Sequence, residues 1–432
     1  MPVSSTLNQV VQLGVETVAG QSPAGGSNRL LRHLTYNIDP DFAYQMYRGS
    51  GRRFNSVQTL KTEMAKFKVG GPISYTEIAY PASGLWGLPA VTTPANGVLA
   101  RQLAWNPKLS GAQGGVTYQG QNGDAVRTRQ FNYMQQTGLE LSFKRNGDSV
   151  ISGGDGFAQQ TQPNATFTST PTSQLQLPAP PINWNLYLDF TSANIGTTQV
   201  AQCVEAQFKT SGWSAPIFFL NRANASYGAI VDTPPASTAL LRLIPDSVVD
   251  TWWLAARANA TAYVRLDAVG NPVDNQYTLN GSASYTAGSF TLTYKGATTT
   301  AIAFNAAGSA IQSALQALPG VGTAATVLPS ATLFNTATTF TITFAGALAN
   351  DPSPLTANFS LTGGSPVLTN ISVNNNFRID LAAKFVPQAY NDDGGGWIQD
   401  WLLEVVEDTA WTEAGAGGTA MYIQAVSNMT GL

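Results

Sequence analysis

Charge is scarce in this sequence. Only 11% of its 432 residues are Asp, Glu, Lys or Arg, where an ordinary globular chain carries roughly 25%. Cys203 is the one cysteine and His33 the one histidine, which excludes an intrachain disulfide, a cysteine metal cluster and a two-histidine metal site. A nucleophilic triad would have to be built on His33, which lies between Arg32 and Leu34 and reads as an ordinary surface or interface histidine. Cys203, in the mixed stretch Val200 to Val204, reads as a small core residue. No run of 18 apolar residues occurs, and the best stretch, near Trp252, is broken by Asp250 and Arg257, so no membrane-spanning helix is expected. Met1 to Gly20 shows no basic stretch followed by an apolar run, so no signal peptide is expected and the protein reads as made inside a cell. The net charge of −3 argues against a duplex-DNA reader with a basic face.

What is present is glycine (41 residues) and aromatic side chains (10%). Thr and aromatics with little Lys or Glu lean towards β-structure, and the aromatics exclude a disordered chain. Surfaces so poor in charge suit burial against neighbouring subunits, because interface cores are depleted in charge.

The charges that exist are unevenly placed. Residues 1–70 hold eight basic side chains (Arg29, Arg32, Arg48, Arg52, Arg53, Lys61, Lys66, Lys68) against four acidic ones. Residues 279–372 hold two charges, Lys295 and Asp351, and residues 373–432 hold two basic against eight acidic. The near-absence of charge there marks a separate module, which predicts three segments: 1–278, an insertion over 279–372, and 373–432.

Periodicity supplies the elements. In the insertion, Phe290, Leu292 and Tyr294 alternate with polar residues, as do Phe340, Ile342 and Phe344, which predicts half-buried strands. Ile311, Leu315 and Leu318 mark one face of a helix that Pro319-Gly320 stops. Leu355, Phe359 and Leu361 predict a further strand before Gly363-Gly364, giving a small β-α-β-β unit. Outside it, strands are expected at Leu139 to Phe143, Leu186 to Leu188, Pro216 to Leu220 (a core strand) and Tyr422 to Val426. A short helix is expected at Leu99 and Leu103, behind Pro94. Arg48 to Val57 predicts a long exposed loop between two strands.

Motifs for chemistry fail one by one. Asp392-Asp393 before Gly394, and Glu407-Asp408, lack the alternating oxygen ligands and distal Glu of a calcium loop. Gly394–Gly396 and Gly415–Gly418 lack the lysine and the strand–loop–helix setting of a phosphate loop, so both read as turns. No cofactor and no enzyme activity are expected. A basic start and an acidic end suit subunits that meet head to tail through opposite patches.

In order along the chain, Leu13-Gly14-Val15-Glu16-Thr17, Asn28-Arg29-Leu30-Leu31, the Arg48–Gly51 loop, Gly70–Ser74, Leu186–Asp189 with Ile195–Thr198, Asp392-Asp393-Gly394, Asp408 and Ala420–Ser427 resemble the tail tube proteins of long-tailed bacteriophages. Residues 283–366 separately resemble a module common in phage tail proteins, through Phe290–Tyr294, Ile302–Asn305, Ala314–Gly320 and Phe340–Gly346. The resemblance implies a mainly β protein: a sandwich or barrel with a short helix, plus the inserted β-α-β-β domain on the outer wall. It implies hexameric rings whose inner strands join into one barrel without free edges, stacked into a tube in the virion. Genome DNA would pass through an acidic or neutral lumen, because a basic one would hold phosphates. Implied partners are further copies and the tape measure, tail terminator and distal tail proteins, with assembly in the host cytoplasm and no membrane. Arg48, Arg52, Arg53 and Phe54 are the expected ring-stacking loop, and Asp392, Asp393, Glu407, Asp408 and Glu413 the acidic assembly segment. The alternative is a virion adhesin that binds host-surface glycans, with Trp252-Trp253 or Trp397 and Trp401 as an aromatic platform.

Overall fold

A computed structural model describes residues 10–23, 26–55, 57–107, 114–124, 128–159, 162–163, 165–173, 177–220, 225–244, 247–386, 390–393, 396–411, 419–429 and 432. The protein is mainly β, with short helices. A first run of strands comprises β1 (Val10–Val15), β2 (Arg29–Leu31), the long pair β3 (Thr35–Tyr47) and β4 (Val57–Pro72), and helix α1 (Ala79–Trp86). It continues through β5 (Ala90–Thr92), β6 (Arg101–Trp105), β7 (Tyr118–Gly123), β8 (Thr128–Gln136), β9 (Leu139–Lys144), β10 (Ser149–Gly153), β11 (Asp155–Ala158), β12 (Gln162–Pro163) and β13 (Thr172–Ser173). A second run comprises β14 (Trp184–Asp189), β15 (Cys203–Ser211), β16 (Ser214–Ile217), β17 (Ala229–Asp232), β18 (Ala236–Leu243), helix α2 (Ser247–Arg257) and the long β19 (Thr261–Asn280). Then comes an excursion: β20 (Ala287–Tyr294), β21 (Ala297–Thr298), β22 (Ile302–Ala303), α3 (Gly308–Gln316), β23 (Ala325–Leu328), β24 (Thr339–Phe344), β25 (Leu355–Thr362) and β26 (Leu368–Asn370). The chain returns through β27 (Val373–Val386), β28 (Tyr390–Asp393), β29 (Gly396–Val405) and β30 (Met421–Ser427).

Alternation places most of these strands as the sequence predicts. Leu139, Leu141 and Phe143 of β9 and Leu186 and Leu188 of β14 are buried, as are Phe290, Leu292 and Tyr294 of β20. Each such side chain contributes roughly 1.5–3 kcal/mol by leaving water. Two main cores result, beside two minor clusters around Trp411 and Val273. The large one draws on both runs, and the small one is confined to Tyr277–Leu355, with Ile311 and Leu315 of α3 packed inside it. β19 serves both: Ala262, Val264, Leu266 and Ala268 enter the large core, Tyr277 and Leu279 the small one. Register shifts at Pro272 and Asp274 mark the passage between them. The transition therefore runs inside one strand rather than through a linker at 279, and short strands β21, β22, β23 and β26 extend the expected β-α-β-β unit.

Two expectations are corrected. Leu99 and Leu103 form no helix. Leu103 and Trp105 alternate into the core from strand β6, and the segment before it is held open by a distant carboxylate. Asp274, itself buried, accepts the backbone N–H groups of Val98 (2.7 Å), Leu99 (2.9 Å) and Ala100 (2.8 Å), and from Arg101 on the backbone is taken up by the ladders of β6 with β5 and β30 instead of a helix. Pro216–Leu220 is no core strand. β16 ends at Ile217 and pairs only with β17 among the described residues, and Phe218, Phe219 and Leu220 are exposed. The segment is the far end of a hairpin that leaves the sheet.

Helix α1 went unseen because it has no polar face. All eight of its residues are buried, Pro81 and Gly84 among them, so no 3.6-residue alternation exists to find. Gly84 is required by space, since a Cβ there would sit 2.9 Å from Cβ of Gln136. Side chains satisfy the surrounding backbone: Tyr118 Oη donates to Tyr80 O (2.8 Å) and Gln135 Nε2 to Gly84 O (2.6 Å). In the turn before it, the wholly buried Glu77 accepts from the backbone N–H of Arg32 (2.6 Å), His33 (2.8 Å) and Leu34 (3.0 Å).

Candidate assembly surfaces

β3 and β4 pair from Thr35–Gly70 at the body to Tyr47–Val57 at the far end. At ~3.4 Å per residue, β3 spans about 40 Å. Near the body Tyr36, Phe67 and Val69 are buried; beyond Asp41 the pair leaves the core. Phe42, Tyr44 and Met46 occupy alternate positions of β3, and Leu60 lies opposite Tyr44. Alternate residues share a face, so one side of this arm is apolar, and all four side chains are exposed. The rings of Phe42 and Tyr44 stack 6.4 Å apart. A projecting two-stranded arm with an apolar face is a surface for association.

The predicted loop 48–57 is the tip of this arm. Gly51 takes a positive φ of 77°, which closes the turn at little cost only for glycine. Arg52 N donates to Gly49 O (3.2 Å) and Arg48 Nε to Arg52 O (2.6 Å). Arg48, Arg52 and Arg53 are thus gathered at one end, beside Phe54, which is 83% exposed. The β16–β17 hairpin meets the arm well short of its tip, where Glu63 N donates to Ala225 O (3.1 Å) and Ser226 Oγ to Glu63 O (2.9 Å).

The expected acidic segment is described only in part. Glu413 lies outside the described residues. Asp392 and Asp393 fall on β28, whose backbone pairs with β29 from Tyr390–Gln399 to Asp393–Gly396. Glu407 is exposed, but Asp408 turns inward. It accepts from the Tyr263 hydroxyl and from Ala410 N (2.9 Å). Burial, with Asp408 beside it, pushes the Tyr263 hydroxyl up to about 12.

Several charges in the body are compensated within the chain. Lys144, Glu205, Arg242 and Asp400 sit on four successive strands, β9, β15, β18 and β29, at paired positions. Their contacts run 3.0 Å, 3.3 Å and 2.9 Å. Lys209 and Glu140 pair across the same seam at 3.4 Å. Asp380, wholly buried, takes Arg265 at 2.8 Å and Arg378 at 2.7 Å. The two charges of the insertion meet each other. Burial pushes the Asp351 carboxyl up, but Lys295 and the Ser353 hydrogen bonds outweigh it and hold it below its ordinary value.

No group of three or more His, Cys, Asp or Glu that could hold a metal occurs among the described residues. Cys203 is half-buried, and its thiol is pushed up to about 12, chiefly by burial. A cleft of about 340 Å³ lies beside it, lined by Phe143, Trp184, Leu186 and Val200. Of the proposed aromatic platforms, Trp252 and Trp401 are buried and pack with Phe385 and Trp253. No helix among the described residues is long and apolar enough to cross a membrane. No protein-family model and no curated protein matches this sequence, so any functional reading rests on the residues and geometry above.

Proposed function

We propose that the protein is a structural subunit of a bacteriophage tail tube, assembling into rings of six places that stack into a conduit for genome DNA. The observation that carries this reading is the arm: a paired ribbon projecting from a packed β body, apolar on one face and basic at its tip. Such a surface is unfavourable in water and favourable when another subunit covers it. The low charge of the chain, with Lys144, Lys209, Arg242, Arg265 and Arg378 paired to carboxylates, supports a wall that holds phosphates weakly, since a basic wall would bind DNA through counterion release. The implied partners are other copies of the chain, then tape measure, terminator and distal tail proteins, in a virion assembled in the host cytoplasm.

Reversing the tip charges tests the reading. Arg52→Glu with Arg53→Glu changes two exposed side chains, so the protomer keeps its thermal stability to within about 0.5 kcal/mol. Tube formation, followed by negative-stain microscopy at high protein concentration, is expected to fail. Normal tubes from the double variant would sink the stacking role. Glycan adhesion draws less support, because Trp252 and Trp401 lie in the core.

A further inference from the structure

The two runs of strands are one topology used twice. In the first, neighbouring strands follow the order β1–β7–β8–β11–β4–β3, every pair antiparallel. In the second the order is β14–β19–β27–β29–β18–β15, again antiparallel throughout. Matching these strands in chain order gives β1 with β14, β3 with β15, β4 with β18, β7 with β19, β8 with β27 and β11 with β29. The correspondence extends further. α1 joins β4 to β7, with β5 and β6 inserted after it, and α2 joins β18 to β19. β3 opens at Thr35 and α1 at Ala79; β15 opens at Cys203 and α2 at Ser247, the same interval. β9 hairpins onto β10, which leads into β11, and β28 hairpins onto β29. β12 and β30 pair with the leading parts of β8 and β27. The charge-poor module is an excursion in the β19–β27 connection, where the first copy has only the short link from β7 to β8.

The seam between the copies is visible within the chain. β9 of the first copy pairs along the outer edge of β15 of the second, from Glu205–Lys144 to Thr210–Leu139, and two ion pairs cross it. The counterpart of β15 is β3, and the counterpart of β9 is β28. Among the described residues β3 pairs with β4 alone and β28 with β29 alone. Each is therefore left with an edge that its counterpart has covered, and an uncovered edge is a row of unpaired N–H and C=O groups.

We propose that β28 of one copy pairs with the outer edge of β3 of the next, repeating between chains the seam that β9 and β15 make within one. The partner is a second copy of this chain. The inference rests on the ring reading and deepens it: each chain fills two adjacent places, so a ring of six places contains three chains, not six. A heterologous contact of this kind closes when the rotation per place divides the circle. Asp392 and Asp393 of β28 then lie at the interface between chains.

The module occurs once per chain and reads the stoichiometry directly. Full-length protein is assembled at high concentration and ring cross-sections are averaged by electron cryo-microscopy. Three outward projections around a wall of six similar units are expected. Hydrogen exchange should show β3 amides slowed in rings relative to dispersed protein. Six projections per ring, or β3 amides exchanging equally fast in both, would overturn the shared-seam proposal and leave the tube reading standing. Dispersed monomers at high concentration would overturn both.

Discussion

Asp274 gives the sharpest energetic test, because one carboxylate holds a loop 174 to 176 residues away in sequence. Truncation by Asp274→Ala removes hydrogen bonds to the N–H groups of Val98, Leu99 and Ala100. A bond to a charged group contributes about 1.5–3 kcal/mol, and a buried donor left unpaired costs about 1–3 kcal/mol. Val98 and Leu99 are exposed, so water can replace most of what their N–H groups lose. Ala100 is wholly buried and cannot be rehydrated without opening the loop. The net expectation is a loss of about 2–4 kcal/mol, read as a fall in Tm of several degrees on the scale of about 2–4 °C per kcal/mol. Exchange of the 98–100 amides should quicken roughly thirtyfold to several hundredfold, following ~1.4 kcal/mol per decade. Asp274→Asn keeps one acceptor oxygen and should lose less. Unchanged Tm together with native exchange at 98–100 in the alanine variant would refute the argument that this carboxylate holds the loop.

Two further outcomes follow from the same reasoning. Asp380→Ala leaves Arg265 and Arg378 without their buried counter-charge and should cost about 3–5 kcal/mol by denaturant midpoint; a loss below about 1 kcal/mol counts against a desolvated triad. Tyr263 and Tyr294, each pushed up to about 12 mainly by burial, hold their protons where unfolded tyrosine, near 10, releases them. The stability this contributes is complete below about pH 10 and is lost as pH rises towards 12. Tyrosinate absorbance should show ionisation above pH 10 lagging in the native protein, and a simple titration near 10 for every tyrosine would contradict it.

The strands could be read in advance where one face of a sheet is buried, because the two-residue alternation at Leu139–Phe143 or Phe290–Tyr294 is local. The same holds for α3, whose Ile311 and Leu315 repeat at helical spacing. The loop tip at 48–55 followed from Gly49, Gly51 and the basic cluster. The length and apolar face of the arm did not, since Phe42, Tyr44 and Met46 alternate as any buried strand would. Only their distance from other elements exposes them. In the same way Pro216–Leu220 carries the hydrophobicity of a core strand and ends outside the core.

The sequence alone determined the strand-rich class, the charge-poor module and the absence of two-histidine chemistry, because each depends on composition or on neighbours a few residues apart. Tertiary structure decided the rest. Helix α1 is buried on all sides and so has no pattern. The 93–100 segment is shaped by a carboxylate from another strand. The duplication also lies beyond local pattern: β1 reads VVQLGV and β14 WNLYLD, with different side chains in equivalent places. A repeat built of backbone pairings is kept by strand order and register, which any side chains of suitable size and polarity can satisfy, so it shows only once the strands are seen side by side.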